Sequence, residues 1–135
     1  MDADEARAFI TTHHHAVLAT RRRDGSIQMS PVAVGADDDG RLIISTTEPS
    51  AKVKNLRRDP AASLCVISDG FYGPWVQIDG TVTIESLPDA LEGLVRYYRK
   101  VAGEHPDWED YRIAMQREQR VLVHLTIERV APKST

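Results

Sequence analysis

The feature that most constrains this chain is a series of short β-type segments separated by tight-turn signals. The first predicted strand runs from His15 to Thr20 and is followed by Asp24-Gly25, a dipeptide typical of β-hairpins. Five further strands are predicted from apolar alternation or from short apolar runs, over residues 27–34, 42–46, 62–68, 75–85 and 121–128. Gly80 inside the fifth strand predicts a bulge or a barrel corner. This pattern favours an antiparallel barrel over a parallel α/β sheet.

Four helices are predicted between or before these strands. They cover residues 2–12, residues 51–58, an amphipathic stretch from Leu87 to the stop at Gly103, and a segment from Asp107 to about Glu118. The predicted fold class is therefore mainly β with inserted helices, an α+β arrangement.

Composition limits the function classes that remain. The chain has 135 residues, 41% of them hydrophobic and 27% charged, which predicts one globular domain over residues 1–135. A net charge of −3 disfavours a nucleic-acid binder. The first residues are acidic, unlike a signal peptide, and no apolar run approaches the roughly 20 residues of a membrane span. We expect a soluble, cytoplasmic protein without a membrane partner.

Several conspicuous residues have structural explanations. Cys65 lies in an apolar run and is predicted to be a small buried hydrophobe. His13-His14-His15 spans a helix-to-strand junction where neighbouring side chains diverge, so we expect no metal site. Asp37-Asp38-Asp39-Gly40 is predicted to be a solvated turn, and Trp108 and Tyr111 are predicted to be packing residues. His105 is not placed by the sequence.

The segment that best indicates a binding site surrounds the second predicted helix. If Ser50 is its N-cap, Lys52 falls in the first turn, where a cation opposes the helix dipole. A bound phosphate would reverse that penalty, and hydroxyls of the preceding strand could complete its site; these belong to Ser45, Thr46 and Thr47. A solvated basic helix face explains the same residues, and on the residues alone both interpretations remain open.

Four segments together resemble a known family. They are Leu18 to Val32 with its Asp24-Gly25 turn, Ala51 to Pro60, Tyr98 to His105 and Asp107 to Arg112. The first two resemble the pyridoxamine 5'-phosphate oxidase-like split-barrel flavoproteins. The last two are similar to the deazaflavin-dependent (coenzyme F420) branch, the B group of flavin/deazaflavin oxidoreductases.

The resemblance implies an FMN-binding-like split β-barrel that forms a homodimer with two cofactors at the subunit interface. It implies that Gln28 to Val32 runs beside the cofactor ring, that Lys52 contacts the phosphate, and that Pro74 and Trp75 border the ring or tail. The residues that it assigns to cofactor binding are Gln28, Met29, Ser30, Pro31, Val32, Ser45, Thr46, Ala51, Lys52, Asn55, Pro74 and Trp75.

The predicted function is F420-dependent hydride transfer to a small organic acceptor. No catalytic side chain is predicted, because in hydride transfer the cofactor carries the chemistry. The sequence contains neither G-x-G-x-x-G nor a P-loop, so nicotinamide or nucleoside triphosphate use has no motif support. The alternatives are an FMN-dependent pyridoxamine-phosphate-oxidase-like enzyme and a non-catalytic cofactor carrier. Cations that could attract an anionic F420 tail are Arg21 to Arg23, Lys54, Arg57 and Arg58.

Overall fold

The computed structural model describes residues 1–132, which form seven strands and four helices. The strands are β1 (His15–Arg21), β2 (Ile27–Ala33), β3 (Gly35–Ala36), β4 (Leu42–Thr47), β5 (Ala61–Ile67), β6 (Trp75–Glu85) and β7 (Arg120–Ala131). The helices are α1 (Ala3–Ile10), α2 (Ala51–Arg58), α3 (Leu91–Ala102) and α4 (Trp108–Arg117). The strands form one antiparallel sheet in the order β2-β1-β5-β6-β7-β4-β3.

The two end strands of this sheet are consecutive in the chain, with only Val34 between them. His14 holds this corner at two points, since its carbonyl accepts from the Val34 amide at 2.8 Å and its Nδ1 lies 2.9 Å from the Val34 carbonyl oxygen. The first and last strands of the sheet therefore meet at this corner, and the sheet curls into a barrel.

The barrel interior holds the larger hydrophobic cluster. Inward side chains alternate along the strands, for example Leu18, Leu64 and Ile78, which are at most 1% exposed. Two helices add side chains at opposite ends of the barrel: α1 where β1 begins and α2 where β1 finishes. The paired strands β6 and β7 shift register between Asp79 and Gly80, as predicted, and a Cβ at Gly80 would collide with the Thr126 carbonyl oxygen.

Helices α3 and α4 cover part of the outer sheet face. Ile43 of β4 and Leu122 of β7 are fully buried there beneath Leu94 and its neighbours on α3. The Tyr97 hydroxyl donates to the Ala33 carbonyl at 2.8 Å, which fixes α3 to the end of β2. We call this region, made of the outward residues of β4 and of β7 up to Leu125, the covered half.

The outward side chains of β2, β1, β5 and the start of β6 have no such cover. Ile27, Met29 and Trp75 are 45%, 66% and 47% exposed. Register places these strands side by side, so their apolar residues form one surface that belongs to neither hydrophobic cluster of residues 1–132. This surface, the bare half, consists of Val17, Ala19, Ile27, Met29, Pro31, Cys65, Ile67 and Trp75.

The structure corrects four sequence predictions. A seventh strand, β3, was missed because it has only two residues. The third helix begins at Leu91 and not at Leu87, since Leu87 precedes Pro88 and such residues avoid the helical conformation. Cys65 faces outward and is partly exposed. Asp37, in the turn predicted to be solvated, is 8% exposed and accepts hydrogen bonds from Arg96 of α3.

The remaining helices and strands agree with prediction within a few residues at their ends. No helix in residues 1–132 is long and apolar enough to cross a membrane.

Candidate functional site

The start of α2 has the local structure of an anion site. Ser50 is the N-cap, and its Oγ accepts from the Val53 amide at 3.4 Å. Thr46, at the end of β4 and 4% exposed, places its Oγ1 3.4 Å from the Ser50 Oγ. The first turn contains no acidic residue. Free helix N–H groups and two hydroxyls therefore meet without a negative charge from the helix itself.

Lys52 occupies this first turn, half-buried, with Ala51 exposed before it. Within the described residues the Lys52 ammonium has neither an ion pair nor a hydrogen bond. The acidic residue four positions earlier, Glu48, is instead held by Arg57, whose Nε and Nη2 donate to its oxygens at 2.9 and 2.6 Å. Lys52 is thus a cation at the positive end of a helix without a compensating carboxylate.

Ser45 lies apart from this group. Side chains of a strand alternate, so Ser45 faces outward toward α3 while Thr46 faces α2. It lines a cleft of about 420 Å³ between α3 and α4. The structure brings Thr46, Ser50 and Lys52 together and sets Ser45 on the other face of β4.

The predicted ring-contacting segment is the body of β2. Gln28, Ser30 and Val32 point inward, and Met29 and Pro31 point into the bare half. Because β2 is an end strand of the sheet, one of its backbone edges has no strand partner in residues 1–132. We call it the open edge of β2. The Ser30 Oγ is buried and has no hydrogen-bond partner in this part of the chain.

A buried hydrogen-bond relay connects α2 to β2. Asn55, 7% exposed, donates from Nδ2 to the Thr20 Oγ1 at 3.1 Å. The Thr20 hydroxyl in turn donates to the Gln28 Oε1 at 3.2 Å. The Asn55 side chain is therefore bound within the protein. Sequence analysis missed Thr20, although a polar residue at an inward strand position was the available signal.

Pro74 and Trp75 lie at the opposite end of the sheet from α2. Trp75 pairs with Ile67, which pairs with His15 at the start of β1, whereas the relay uses Thr20 near its end. Five residues of strand correspond to about 17 Å. Within one chain these residues do not join the α2 group.

The cleft between α3 and α4 is a second feature that sequence analysis did not place. His105 lies there in contact with Tyr98, Trp108 and Tyr111, at ring-centroid distances of 5.0, 5.7 and 5.4 Å. Burial raises the pKa of Tyr111 to about 12, and its hydroxyl donates to the Leu94 carbonyl at 2.8 Å. Trp108 and Tyr111 are packing residues, as predicted.

The three consecutive histidines diverge. The Nδ1 of His13 lies 3.0 Å from the Phe9 carbonyl oxygen, His14 binds Val34, and His15 is exposed. A further histidine, His124 of β7, is 6% exposed and places its Nε2 3.1 Å from the Glu85 Oε1.

Comparison with known proteins identifies the family. Residues 3–134 match the family model described as pyridoxamine 5'-phosphate oxidase. An F420H(2)-dependent biliverdin reductase from Mycobacterium tuberculosis is 31% identical over 132 residues, covering 95% of this chain and 85% of that protein.

Solved structures agree with the fold. The conserved hypothetical protein Rv2991 from Mycobacterium tuberculosis matches with a TM-score of 0.76 at 26% identity, over 96% of this chain and 82% of that one. A protein described as an F420 reductase matches with a TM-score of 0.71 at 19% identity, over 93% of this chain and 94% of that one.

The predicted split-barrel fold, the predicted resemblance and the predicted enzyme class, an oxidoreductase, are confirmed by these likenesses. The chain belongs to the pyridoxamine 5'-phosphate oxidase family.

Proposed function

We propose that this protein is an F420-dependent oxidoreductase that transfers a hydride between the reduced deazaflavin and a small organic acceptor. The observation that carries the proposal is Lys52, a cation without a carboxylate partner at the start of a helix that lacks acidic residues in its first turn. The relative named as an F420H(2)-dependent reductase supports the choice of cofactor.

The residues at α2 fit the phosphate of such a cofactor. A phosphate placed there would accept from backbone N–H groups of the first turn and from the Lys52 ammonium, while Thr46 and Ser50 offer hydroxyl donors. Its charge would also reverse the unfavourable interaction of Lys52 with the helix dipole.

The open edge of β2 fits the ring of the cofactor. Alternate residues from Gln28 to Val32 present backbone groups to this edge, where they can bind the polar rim of a planar ring; Pro31 offers only its carbonyl. The bound deazaflavin supplies the hydride, and the task of the protein side chains is then to bind and orient.

The bare half supports a homodimer. Its centre is apolar, and on the β6–β7 side it meets the polar group Ser63, Asp79 and Arg129, joined by hydrogen bonds of 2.6 and 2.8 Å. An apolar centre beside a polar rim is typical of protein interfaces. A homodimer through this surface would also bring Pro74 and Trp75 toward the cofactor of the second copy.

The cations near α2 support F420 over FMN. Both cofactors carry a phosphate, but the F420 tail continues into lactate and anionic glutamates. In the described residues, the charged groups of Arg21, Arg23 and Lys54 are exposed and have no partner. The Arg58 guanidinium donates only to the Arg21 carbonyl and to the Asn55 side-chain oxygen. Arg57 is committed to Glu48 and is a weaker candidate.

Parallel binding titrations of the purified protein with F420 and with FMN test the proposal. F420 should bind more tightly at low salt, and the difference should shrink at high salt because exposed ion pairs are screened. Equal affinity for FMN at low salt would replace the deazaflavin proposal with an FMN-dependent enzyme.

Turnover separates an enzyme from a cofactor carrier. Biliverdin, the acceptor in the name of the relative, is the first acceptor to test with reduced F420. A panel of small organic acceptors follows. Tight F420 binding without turnover of any of them would favour a carrier.

A further inference from the structure

The hydrogen bonds of the buried relay from α2 to β2 donate in one direction, and Arg58 determines that direction. A guanidinium can only donate hydrogen bonds. Its Nη2 donates to the Asn55 Oδ1 at 3.2 Å and to the Arg21 carbonyl at 2.6 Å. The Asn55 amide must therefore present its oxygen to Arg58 and its NH₂ group to Thr20.

The direction of donation at Asn55 also determines the orientation of the Gln28 amide. The Thr20 hydroxyl has one proton, and since it accepts from Asn55 at 3.1 Å, that proton is free to donate to the Gln28 Oε1 at 3.2 Å. The Gln28 amide is then held with its oxygen inward. Its Nε2 has only a long contact of 3.4 Å, to the Met29 carbonyl oxygen.

Because the relay is buried, the polar character of its side chains needs an explanation beyond packing. Thr20 is 1% exposed and Asn55 is 7% exposed. Buried polar groups cost stability unless they are fully bonded, and apolar side chains of the same shape would join α2 to the barrel equally well. An apolar contact, however, would not determine whether the oxygen or the NH₂ group of the Gln28 amide points away from Thr20.

We infer that Thr20 and Asn55 are positioning residues that act through Gln28. They hold its NH₂ group ready to donate to the acceptor-rich rim of the cofactor ring, in a fixed relation to the phosphate at α2. The inference rests on the proposed function, because it requires a ring beside β2 and a phosphate at Lys52. It assigns Asn55 to the support of the site and not to direct contact with the cofactor.

The test is Thr20→Val, which removes the hydroxyl at nearly constant shape. F420 affinity should fall about three- to tenfold, the range for one neutral hydrogen bond, and the absorption spectrum of bound F420 should shift. Thr20→Ser keeps the hydroxyl and should restore both. Thr20→Ala takes the place of the valine variant if that variant does not fold.

A second background shows whether Thr20 acts through Gln28. In a Gln28→Ala protein, Thr20→Val should weaken F420 binding by less than about twofold, because the group that it orients is gone. Tyr111→Phe is the matched control: it loses another buried hydroxyl bond, 2.8 Å long, that is not part of the relay. It should lower the melting temperature of the cofactor-free protein without changing F420 affinity.

The outcomes separate the inference from the proposed function. If wild-type protein binds F420 and Thr20→Val binds it equally with the same spectrum, the inference is wrong and the proposed function stands. An equal loss with and without Gln28 also overturns it, since Thr20 would then act only on α2. If the wild type binds FMN instead, the same series with FMN decides. Binding of neither cofactor overturns both.

Discussion

The covered half and the bare half of the outer sheet face contain side chains of the same kind under different conditions. Ile43 and Leu122 in the covered half are fully buried beneath α3. Met29 and Trp75 in the bare half are 66% and 47% exposed. Both sets point away from the barrel interior, so apolar character alone does not distinguish them.

The two halves differ in whether helices of the same chain cover them. The chain supplies α3 and α4 between β6 and β7, and these helices lie over one half only. The comparison teaches that an outward apolar residue of this barrel is buried within one chain only where a helix covers it. In the bare half, the proposed cover is a second copy of the chain.

The largest expected effect is in the covered half. Leu94→Ala removes a fully buried side chain of α3 and should lower the free energy of unfolding by about 2–5 kcal/mol. The loss should not depend on protein concentration, because the cavity forms within one chain. Urea unfolding at several concentrations measures it. Met29→Ala is the matched change in the bare half. It should alter only how the free energy of unfolding depends on protein concentration. Equal losses in both variants at every concentration would show that the two halves do not differ.

In the bare half, Val17→Asp should break the dimer. Val17 lies between Pro31 and Cys65 near the centre of this surface, and a carboxylate buried there has no partner. The dimer dissociation constant should rise about 100-fold, or about 2.7 kcal/mol. Sedimentation or light scattering measures it.

Ile113→Asp is the control for Val17→Asp. Ile113 is also an exposed apolar residue, 54% accessible, but it lies on α4 outside the bare half. It should leave the dimer intact. If wild-type protein is a monomer that still binds cofactor tightly, the dimer proposal is wrong.

The unpaired cation at the start of α2 is expected to bind the cofactor phosphate. Lys52→Ala should weaken F420 binding by about 1.5–3 kcal/mol, the range for charge-assisted hydrogen bonds, without lowering the melting temperature of the cofactor-free protein. Lys54→Ala removes the same charge two residues later and should cost only a few tenths of a kcal/mol. Calorimetric titration distinguishes them, and unchanged affinity in Lys52→Ala would exclude its phosphate role.

The smallest expected effect concerns the polar contact between α3, which covers that half, and Asp37 in the turn after β3. Burial raises the pKa of Asp37, but hydrogen bonds from Arg96 of α3 and from the Asp38 amide outweigh it, so the net pKa lies below the ordinary 3.8. A carboxylate with a depressed pKa stabilises the fold above its unfolded pKa, and this contribution is lost as pH falls through the folded pKa.

Asp37→Asn should therefore lower stability at neutral pH by up to about 1 kcal/mol and reduce the acid-induced loss below about pH 4. Unfolding measured from pH 7 to pH 3 checks both. A variant with an unchanged pH profile would show that Asp37 contributes nothing through its charge.

The sequence predicted what local signals determine. α2 was predicted at its observed bounds because Ser50 and Asp59-Pro60 mark its ends, and β6 because its apolar and polar residues alternate along most of its length. β3 was missed, since two residues carry no pattern and the barrel closure that creates it is a tertiary event.

The site was predictable only in part for the same reason. Strand alternation already separates Ser45 from Thr46, but which face meets α2 depends on how β4 packs. The inward position of Thr20 could be read from strand alternation, but its partners Asn55 and Gln28 could not, because the partner of a buried hydroxyl depends on the assembled fold. The cofactor roles of the twelve assigned residues stay predictions.

The place of β7 in the sheet has a consequence for synthesis of the chain. It is the last strand in residues 1–132, yet it lies between β6 and β4 and pairs with both. On the ribosome, β1, β2, β5 and β6 can pair, while β4 has only the two-residue strand β3 as a neighbour until residues 120–131 have left the exit tunnel. Such non-local pairing is slow, and waiting strand edges are prone to aggregate. The interval between completion of β6 and emergence of β7 is therefore the one in which unpaired strand edges of the nascent chain are most exposed to aggregation.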